Sequence, residues 1–317
     1  MNDSPAVAIV GPTASGKSRL ALAVAQEFGG EIVSCDALQV YRGMDIGTAK
    51  PTPADRAAVP HHMLDLRDPG EDFSAGDYQR QAREALQTIS ARGKLPVVAG
   101  GTGFYLKALI DGLFEGPARS EELRARMRRI VSHKGAARLH SVLQNVDPRT
   151  AERTRAADTS RTIRALEVYF LTGRPLSSWQ NRPRIALRGF RWLKLGISWP
   201  RDRLYERINA RVDQMYRDGL VEESRTILSL HPRDCHALKA IGYRQCAAFL
   251  EGKCTLDQAI CETRQETRRY AKRQLTWFRS VPEVIWLEGE EDFSHTFARS
   301  SEIIREWLSR GNLPHGP

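Results

Sequence analysis

Short apolar runs alternate with amphipathic stretches along the first hundred residues. Apolar runs of four or five residues between turn residues are typical of buried strands, whereas apolar positions recurring every three or four residues are typical of helices. These patterns predict strands over residues 6–10, 32–36, 61–65 and 95–99. They predict helices over residues 19–28 and 74–91, the second with Ser74 as its N-cap and Gly93 just past its end.

The pattern changes after residue 119, where it becomes helical and basic with no clear strand up to about residue 181. We expect one capped helix here, over residues 162–171. A strand over 191–198 follows, and then helices over 201–218, 221–230, 243–250 and 256–280, a short strand at 284–287 and a last helix near 301–310.

The alternation of strands and helices predicts an α/β fold, in which a parallel sheet carries helices on both faces. The basic helical stretch interrupts this alternation. We therefore expect a core formed by residues 1–118 and 190–317, including the C-terminal helices. An inserted all-helical basic subdomain is expected over residues 119–189.

Length and composition are those of a globular protein. The chain has 317 residues, of which 41% are hydrophobic and 27% are charged. No apolar run reaches the roughly 18 residues of a membrane span, and the first strand begins too early for a signal peptide, so a cytoplasmic location is expected.

The five cysteines are scattered without a C-x-x-C pair, which argues against a disulfide framework and a structural zinc site. Nothing requires more than a monomer.

Positive charge is concentrated in the expected insertion. The whole chain has a net charge of +10, yet residues 119–194 alone contain 18 Lys/Arg against 6 Asp/Glu. An arginine-rich block within an otherwise near-neutral chain is typical of a nucleic-acid-binding surface. A solvated helical surface is the alternative interpretation.

One motif predicts a phosphate site. The run Gly11-Pro-Thr-Ala-Ser-Gly-Lys17-Ser18 fits G-x-x-x-x-G-K-[ST] and lies between an expected strand and an expected helix, as this motif requires. Its backbone N–H groups and the helix N-terminus attract an anion, Lys17 can reach a terminal phosphate, and Ser18 can hold Mg²⁺. The residues predicted to bind a di- or triphosphate are Gly11, Pro12, Thr13, Ala14, Ser15, Gly16, Lys17 and Ser18.

Three candidate positions follow expected strands: Gly16, Asp36 and Gly100, the last of which opens the glycine-rich turn 100–103. In parallel sheets, ligands bind beyond the carboxyl ends of the strands. We therefore expect these positions to share one crevice.

Several segments fit one family when they are taken together. They are the phosphate-binding loop, D-I-G-T-A-K-P at 45–51, H-H-M-L-D at 61–65 with D-P at 68–69, G-G-T-G-F-Y at 100–105, R-A-L-E at 164–167, T-G-R-P at 172–175, A-I-G-Y at 240–243 and A-K-R-Q-L-T-W at 271–277. From about residue 5 to 290 the chain resembles the bacterial tRNA dimethylallyltransferases (tRNA isopentenyltransferases). The resemblance implies a P-loop NTPase-like core that transfers a dimethylallyl group from dimethylallyl diphosphate. The acceptor is the exocyclic amine of adenine at tRNA position 37, in tRNAs that read codons beginning with U.

The resemblance also implies catalytic roles. Asp36 corresponds to the general base that takes the amine proton, while Mg²⁺ ligation is its alternative role. Lys17, with Mg²⁺ on Ser18, is expected to neutralise the departing diphosphate, and Thr13 matches a position on the allyl diphosphate side of the loop.

Two further residues complete the expected machinery. Thr102 corresponds to a threonine that contacts tRNA, with a plain turn residue as the alternative. Arg211 is expected to be a second cation on the diphosphate, and Arg207, one turn earlier, is the alternative.

The implied partner is the tRNA anticodon stem-loop, and the implied contacts fall mainly in three segments. They comprise Asp36, Ala37, Leu38 and Gln39; then Arg161, Thr162, Ile163, Arg164 and Ala165; and then Gly242, Tyr243, Arg244, Gln245 and Cys246, together with Thr102 and Arg124. A second basic helix is expected to line the RNA groove, with a solvated face as the alternative. Its residues are Arg268, Arg269, Lys272 and Arg273.

Two other functions stay open from the residues alone. The loop is equally typical of small-molecule kinases or NTPases that bind ATP, although no apolar strand ends in a Walker-B aspartate. A non-catalytic RNA-binding protein would explain the basic insertion. It would not explain why Lys17, Asp36 and Thr102 all follow strands.

Overall fold

The computed structural model describes residues 3–114, 116–180, 184–233, 235, 237–290 and 292–310. Within these residues, one parallel sheet contains six strands in the order β3-β2-β4-β1-β5-β6. The strands are β1 (Ser4–Val10), β2 (Glu31–Ser34), β3 (His61–His62), β4 (Pro96–Gly100), β5 (Phe190–Ser198) and β6 (Val284–Glu288).

Thirteen α-helices lie in the same described residues. Four precede residue 111: α1 (Lys17–Glu27), α2 (Pro53–Ala58), α3 (Ala75–Ala91) and α4 (Gly103–Ile110). Four follow between β4 and β5: α5 (Glu121–Val146), α6 (Pro148–Glu152), α7 (Thr159–Thr172) and α8 (Leu176–Gln180). The last five are α9 (Arg201–Arg217), α10 (Leu220–Leu230), α11 (Tyr243–Leu250), α12 (Leu256–Arg279) and α13 (Phe293–Arg310).

The chain divides into two compact units, Met1–Ile110 with Leu187–Pro317, and Asp111–Ala186. The first unit contains the sheet. Alternate residues of β1 point to opposite faces, as the strand period of two requires. Val7 and Ile9 pack with α1 and α13, whereas Ala8 and Val10 face the layer that holds α3 and α12. The predicted parallel sheet with helices on both faces is thereby confirmed.

The second unit is helical in all its described residues with regular structure, and it has a core of its own. Buried apolar side chains from α5 and α7, among them Leu139, Leu143 and Leu166, pack together. The helix α5 contains a break at Gly135, whose φ of 78° lies outside the helical region. The helix α7 ends at Gly173, whose φ of 68° is a conformation that glycine adopts without the strain a side chain would bring.

Several predicted boundaries differ from the observed ones. The strand β2 ends at Ser34 rather than residue 36, because the Asp36 side chain accepts the N–H of Leu38 and turns the chain. The strand β3 keeps only two of five predicted residues, and α13 begins eight residues earlier than expected. The sequence patterns did not predict α2 or α4, the second of which begins within the expected turn at 100–103. None of the described helices has the length and apolar character needed to cross a membrane.

Candidate active site

A cavity of about 300 Å³ opens at the carboxyl ends of β1, β2 and β4. Its lining contains Lys17, Asp36, Thr102 and Arg211, which the sequence analysis placed in one catalytic site. Residues from α9, α12 and the segment before α11 close the remaining walls. They include Ile208, Val212, Met215, Lys239, Ala240, Ile241, Gly242, Thr263, Thr267, Tyr270 and Gln274.

The loop from Gly11 to Gly16 turns sharply between β1 and α1. Gly11 has a φ of 149° and Ala14 a φ of 63°. A Cβ at Gly11 would lie 2.9 Å from the carbonyl oxygen of Ile197 in β5, so a larger residue would push the loop away from the sheet. Gly16 has a φ of 94° and is the N-cap of α1, which leaves the first N–H groups of that helix without a side-chain cap.

Side chains from outside the loop hold it in place. The Thr13 N–H donates to Oε1 of Gln274 at 2.8 Å. Nε1 of Trp199 donates to the Ser15 carbonyl at 3.0 Å, and Nε of Arg207 donates to the Ala14 carbonyl at 3.0 Å. The guanidinium of Arg207 also stacks on the Trp199 ring, 4.2 Å from its centroid. Arg207 therefore supports the loop from outside, and it does not line the cavity.

Lys17 and Arg211 bring two positive charges to the same cavity. Burial, reinforced by the nearby Arg211 charge, lowers the pKa of Lys17 to about 8, although Asp36 opposes the shift. Burial also lowers the pKa of Arg211, again against the effect of Asp36. The Lys17 ammonium donates to the Pro12 carbonyl at 3.2 Å. Two desolvated cations that repel one another are a favourable environment for a multiply charged anion.

Asp36 is held by the loop that it begins. Its Oδ1 accepts the N–H of Leu38 at 2.9 Å and that of Gln39 at 3.4 Å. The neighbouring Ala37 N–H donates to Oγ1 of Thr102 at 3.1 Å, and the Thr102 N–H donates to the Cys35 carbonyl at 3.1 Å. The Asp36 loop and the Thr102 loop are therefore joined to each other and fix the carboxylate at the cavity wall.

Helix α12 contributes a polar face that the sequence analysis did not single out. Thr263, Thr267, Tyr270 and Gln274 lie at spacings of four, three and four residues, and all line the cavity. Gln274 is 5% exposed, and besides accepting from Thr13 it donates to the Gly101 carbonyl at 2.8 Å. The recurrence of polar residues every three or four positions is the sequence pattern that could have predicted this polar face.

Burial raises the pKa of Tyr270, and the charge of Asp36 adds to this effect. The Tyr270 hydroxyl is therefore neutral throughout the physiological range. It gives this wall of the cavity an uncharged group that can both donate and accept a hydrogen bond.

The motif at 45–51 forms a loop anchored by a carboxylate. Glu223 of α10 accepts the N–H groups of Asp45, Ile46 and Gly47 at 2.9, 2.8 and 3.1 Å, and the Tyr243 hydroxyl at 2.6 Å. A Cβ at Gly47 would lie 2.5 Å from the Tyr243 ring, so glycine is needed there for close packing. Glu223 lies in an ordinary amphipathic helix, and no motif in the sequence indicated its role.

Two more side chains of this region are buried and bind backbone carbonyl groups. The ammonium of Lys50 is buried and binds the Tyr41 carbonyl and Oδ1 of Asp65, both at 2.7 Å. Burial would raise the pKa of Asp65, but its bonds to Lys50 and Arg56 outweigh that effect and lower it. Gln39 is buried and donates to the Thr48 carbonyl at 3.2 Å.

The segments predicted to contact tRNA contain both buried and exposed side chains. Asp36, Ala37, Leu38, Gln39, Thr102 and Gly242 line the cavity. The side chains of Tyr243, Gln245 and Cys246, and in the second unit those of Thr162, Ile163 and Ala165, are buried. The exposed arginine side chains of these two segments are Arg244 and Arg161.

Arg124 and Arg164 of the second unit bind one buried carboxylate. Nε of Arg124 lies 2.7 Å from Oε1 of Glu167, and Nη1 of Arg164 lies 2.5 Å from Oε2. The Ser120 N–H also donates to Oε1 at 2.8 Å. Burial alone would raise the pKa of Glu167, but these bonds lower it to about 2. Both arginines therefore stabilise the unit, whatever else they contact.

The cavity can accommodate Mg²⁺ beside a phosphate ligand. The ion accepts one or two protein oxygens while phosphate and water oxygens complete its coordination. Ser18 and Asp36 line the same cavity and supply a hydroxyl and a carboxylate, so they fit this requirement. Across the part of the chain that the structure describes, no cluster of three His, Cys, Asp or Glu residues could hold a metal ion by itself.

Comparisons with known proteins agree on one family. The family model described as IPP transferase matches residues 39–281. The chain is 46% identical over 305 residues to the tRNA dimethylallyltransferase of Koribacter versatilis, covering 96% of this chain and 99% of the relative.

Two solved structures are also similar. The tRNA isopentenylpyrophosphate transferase of Bacillus halodurans matches with a TM-score of 0.72 and 39% identity, over 98% of both chains. A eukaryotic dimethylallyltransferase acting on tRNA matches with a TM-score of 0.80 and 26% identity, over 97% of this chain and 80% of the other.

Proposed function

This chain belongs to the IPP transferase family, and we propose that it transfers a dimethylallyl group from dimethylallyl diphosphate to the exocyclic amine of an adenine in tRNA. The proposed acceptor is the adenine at tRNA position 37 in tRNAs that read codons beginning with U. The observation that carries the proposal is the set of charged and polar side chains that line one cavity. Lys17 and Arg211 offer charge to a leaving diphosphate, while Asp36 and Thr102 offer polar groups to an amine.

The diphosphate end of the reaction is assigned to the loop and its cations. As the allylic C–O bond breaks, the bonding electrons leave with the diphosphate, and negative charge grows on its oxygen atoms. Lys17, Arg211 and the loop N–H groups are fixed before the reaction and stabilise this charge without reorganising. Binding of the anion would also restore the full charge of Lys17, whose pKa is about 8 in the free protein.

The adenine end is assigned to Asp36 and Thr102. The exocyclic nitrogen forms the new bond to the allylic carbon and must then lose one proton. Asp36 is the proposed acceptor of this proton, and its fixed orientation favours the transfer. The adenine must leave its stack to reach the cavity, which costs a few kcal/mol. We assign Thr102 to contact the displaced nucleotide.

Ser18 is the proposed Mg²⁺ ligand of this chain, and Asp36 is the second candidate. The ion would supply additional neutralisation of the diphosphate charge when bound. The chain's own contribution is a hydroxyl group at the N-terminus of α1, where the helix dipole also favours the anion.

We assign Arg124, Arg161 and Arg164 of the second unit to the anticodon stem-loop. Arg161 has 72% of its side chain exposed, and exposed arginines bind phosphate groups and stack on bases of single-stranded loops. We further propose that the protein acts as a cytoplasmic monomer. Light scattering across a range of concentrations would reveal a second copy by a doubled mass.

A prenyl-transfer assay with purified components tests this proposal. The purified protein is incubated with dimethylallyl diphosphate, Mg²⁺ and an anticodon stem-loop that carries three consecutive adenines, and the RNA is followed by mass spectrometry. The proposal predicts a gain of one five-carbon unit, which disappears when the target adenine is replaced. No gain across several stem-loops, together with ATP turnover in a parallel assay, would instead indicate a kinase or NTPase.

A further inference from the structure

Two large aromatic side chains are exposed side by side near the cavity. Phe104, the second residue of α4, is 49% exposed, and Trp277, near the end of α12, is 37% exposed. Their ring centroids lie 6.4 Å apart with an interplanar angle of 88°. Single exposed apolar residues are common on protein surfaces, but two adjoining aromatic rings form a surface that favours a ligand.

This aromatic pair adjoins the cavity through the backbone. A Cβ at Gly103 would lie 2.0 Å from Cδ1 of Trp277, so the indole ring lies directly against the chain between Thr102 and Phe104. Thr102 lines the cavity. One turn earlier in α12, Gln274 binds the Gly101 carbonyl, which fixes the helix against the same loop. The aromatic surface is therefore continuous with the cavity wall.

A positive charge lies beside the pair. Arg273 is exposed on α12 four residues before Trp277, and residues four apart lie on the same face of a helix. An aromatic surface with a neighbouring cation is suited to single-stranded nucleic acid, because a base stacks on the rings and a phosphate binds the cation. An apolar segment of a protein partner would gain nothing from this charge.

We propose that Phe104 and Trp277 form a stacking site for an unpaired base that flanks the target adenine. This inference rests on the proposed function, which places the target adenine in the cavity. When that adenine leaves its stack, the neighbouring base loses a stacking partner. The aromatic pair replaces this partner at the edge of the cavity and stabilises the opened loop.

The test measures the affinity for an anticodon stem-loop at fixed salt concentration, without dimethylallyl diphosphate, so that its result does not depend on turnover. The variants are Phe104→Ala, Trp277→Ala and Trp277→Phe. Leu230→Ala is the control, because Leu230 is 69% exposed at the end of α10. We expect about tenfold weaker binding for each alanine variant, recovery with Trp277→Phe and no change in the control.

A second set of measurements uses stem-loops in which either base beside the target adenine is replaced by an abasic residue. The proposal predicts that one such RNA binds the wild-type protein about tenfold more weakly and is then insensitive to Phe104→Ala. Additive losses would overturn the proposal. Unchanged affinity of the alanine variants for the RNA would also overturn it. An effect of Phe104→Ala that is confined to a higher KM for dimethylallyl diphosphate would overturn it too, since this outcome would assign Phe104 to the prenyl group. If Trp277→Ala does not fold, Phe104→Ala carries the test by itself.

Discussion

Thr13 and Gln274 are 261 positions apart in the sequence and share a hydrogen bond of 2.8 Å. Because the other end of the same amide binds the Gly101 carbonyl, one side chain joins the phosphate-binding loop to the loop that carries Thr102. The two halves of the proposed reaction thus depend on one buried group.

Gln274→Ala should lower both stability and activity. The change leaves the Thr13 N–H and the Gly101 carbonyl without their partner, which costs about 1–3 kcal/mol for each buried group. We expect a lower melting temperature and at least a tenfold loss in kcat/KM for dimethylallyl diphosphate. Gln274→Glu keeps an acceptor for Thr13 and lacks the donor to Gly101. Equal activity of both variants and the wild type would show that the bridge has no part in the reaction.

Asp36→Ala should abolish prenyl transfer while tRNA affinity stays nearly intact. Loss of a general base typically reduces the rate by about 10²–10⁴-fold. Single-turnover rates and filter-binding affinities separate the two effects. A variant that keeps most of its turnover would exclude the role of base, and a loss that excess Mg²⁺ restores would assign Asp36 to metal ligation.

Binding of inorganic diphosphate should weaken as the pH rises through about 8. Below this value Lys17 is protonated in the free protein, and above it the ammonium loses its charge. The thermal shift produced by diphosphate should therefore be larger at pH 7 than at pH 9. Lys17→Met should remove most of this difference, whereas Lys94→Met, which removes an exposed lysine, should preserve it.

The same pKa shift has a consequence for stability. Because the folded-state pKa of Lys17 is lowered, the unfolded chain binds more protons between pH 8 and the ordinary value of 10.5. The Lys17 contribution to stability therefore rises with pH across this window. Comparison of the wild type with Lys17→Met in denaturant titrations isolates this contribution.

Arg161→Gln should weaken tRNA binding and flatten its salt dependence without changing stability. Each phosphate contact that is lost reduces the slope of log K against log salt by about 0.7–0.9. Arg164→Gln should additionally lower the melting temperature, because it removes one partner of the buried Glu167. An unchanged salt slope in both variants would indicate that this basic surface is only solvated.

Glu167→Gln should destabilise the second unit at neutral pH. The lowered pKa of Glu167 means that its contribution is complete above the ordinary value of 4.5 and is lost as the pH falls through about 2. A shift of this size corresponds to roughly 3 kcal/mol. The difference in unfolding free energy between wild type and variant should shrink across this window. A difference that is constant with pH would argue against the ionic role.

Local patterns predicted much of the fold because each rests on neighbouring residues. The apolar runs of β1, β4 and β5 and the capping residue Ser74 could be recognised without knowing what they contact. The strand order could not, since it depends on pairing between distant segments. β3 was overestimated because the chain turns after two paired residues.

In the candidate site, too, residues recognisable from local sequence differ from residues that depend on distant contacts. Lys17, Asp36 and Thr102 stand next to strand ends, where their position in a parallel sheet can be inferred. Gln274 and Glu223 act through contacts with loops more than 170 positions away, and nothing in the neighbouring residues of either one indicates those partners. The burial of Gln39 and Tyr243 could not be predicted from the sequence either. Polar atoms are buried in a core only when they form hydrogen bonds, and here the partners lie in other segments of the chain.

Glu223 has a consequence for how the molecule sorts its ligands. Three successive N–H groups, at positions 45–47, converge on its carboxylate, much as the N–H groups of a phosphate-binding loop converge on a ligand. Glu223 thus fills the nest at 45–47 with a carboxylate of the chain itself, so that this loop does not compete with the phosphate-binding loop for diphosphate.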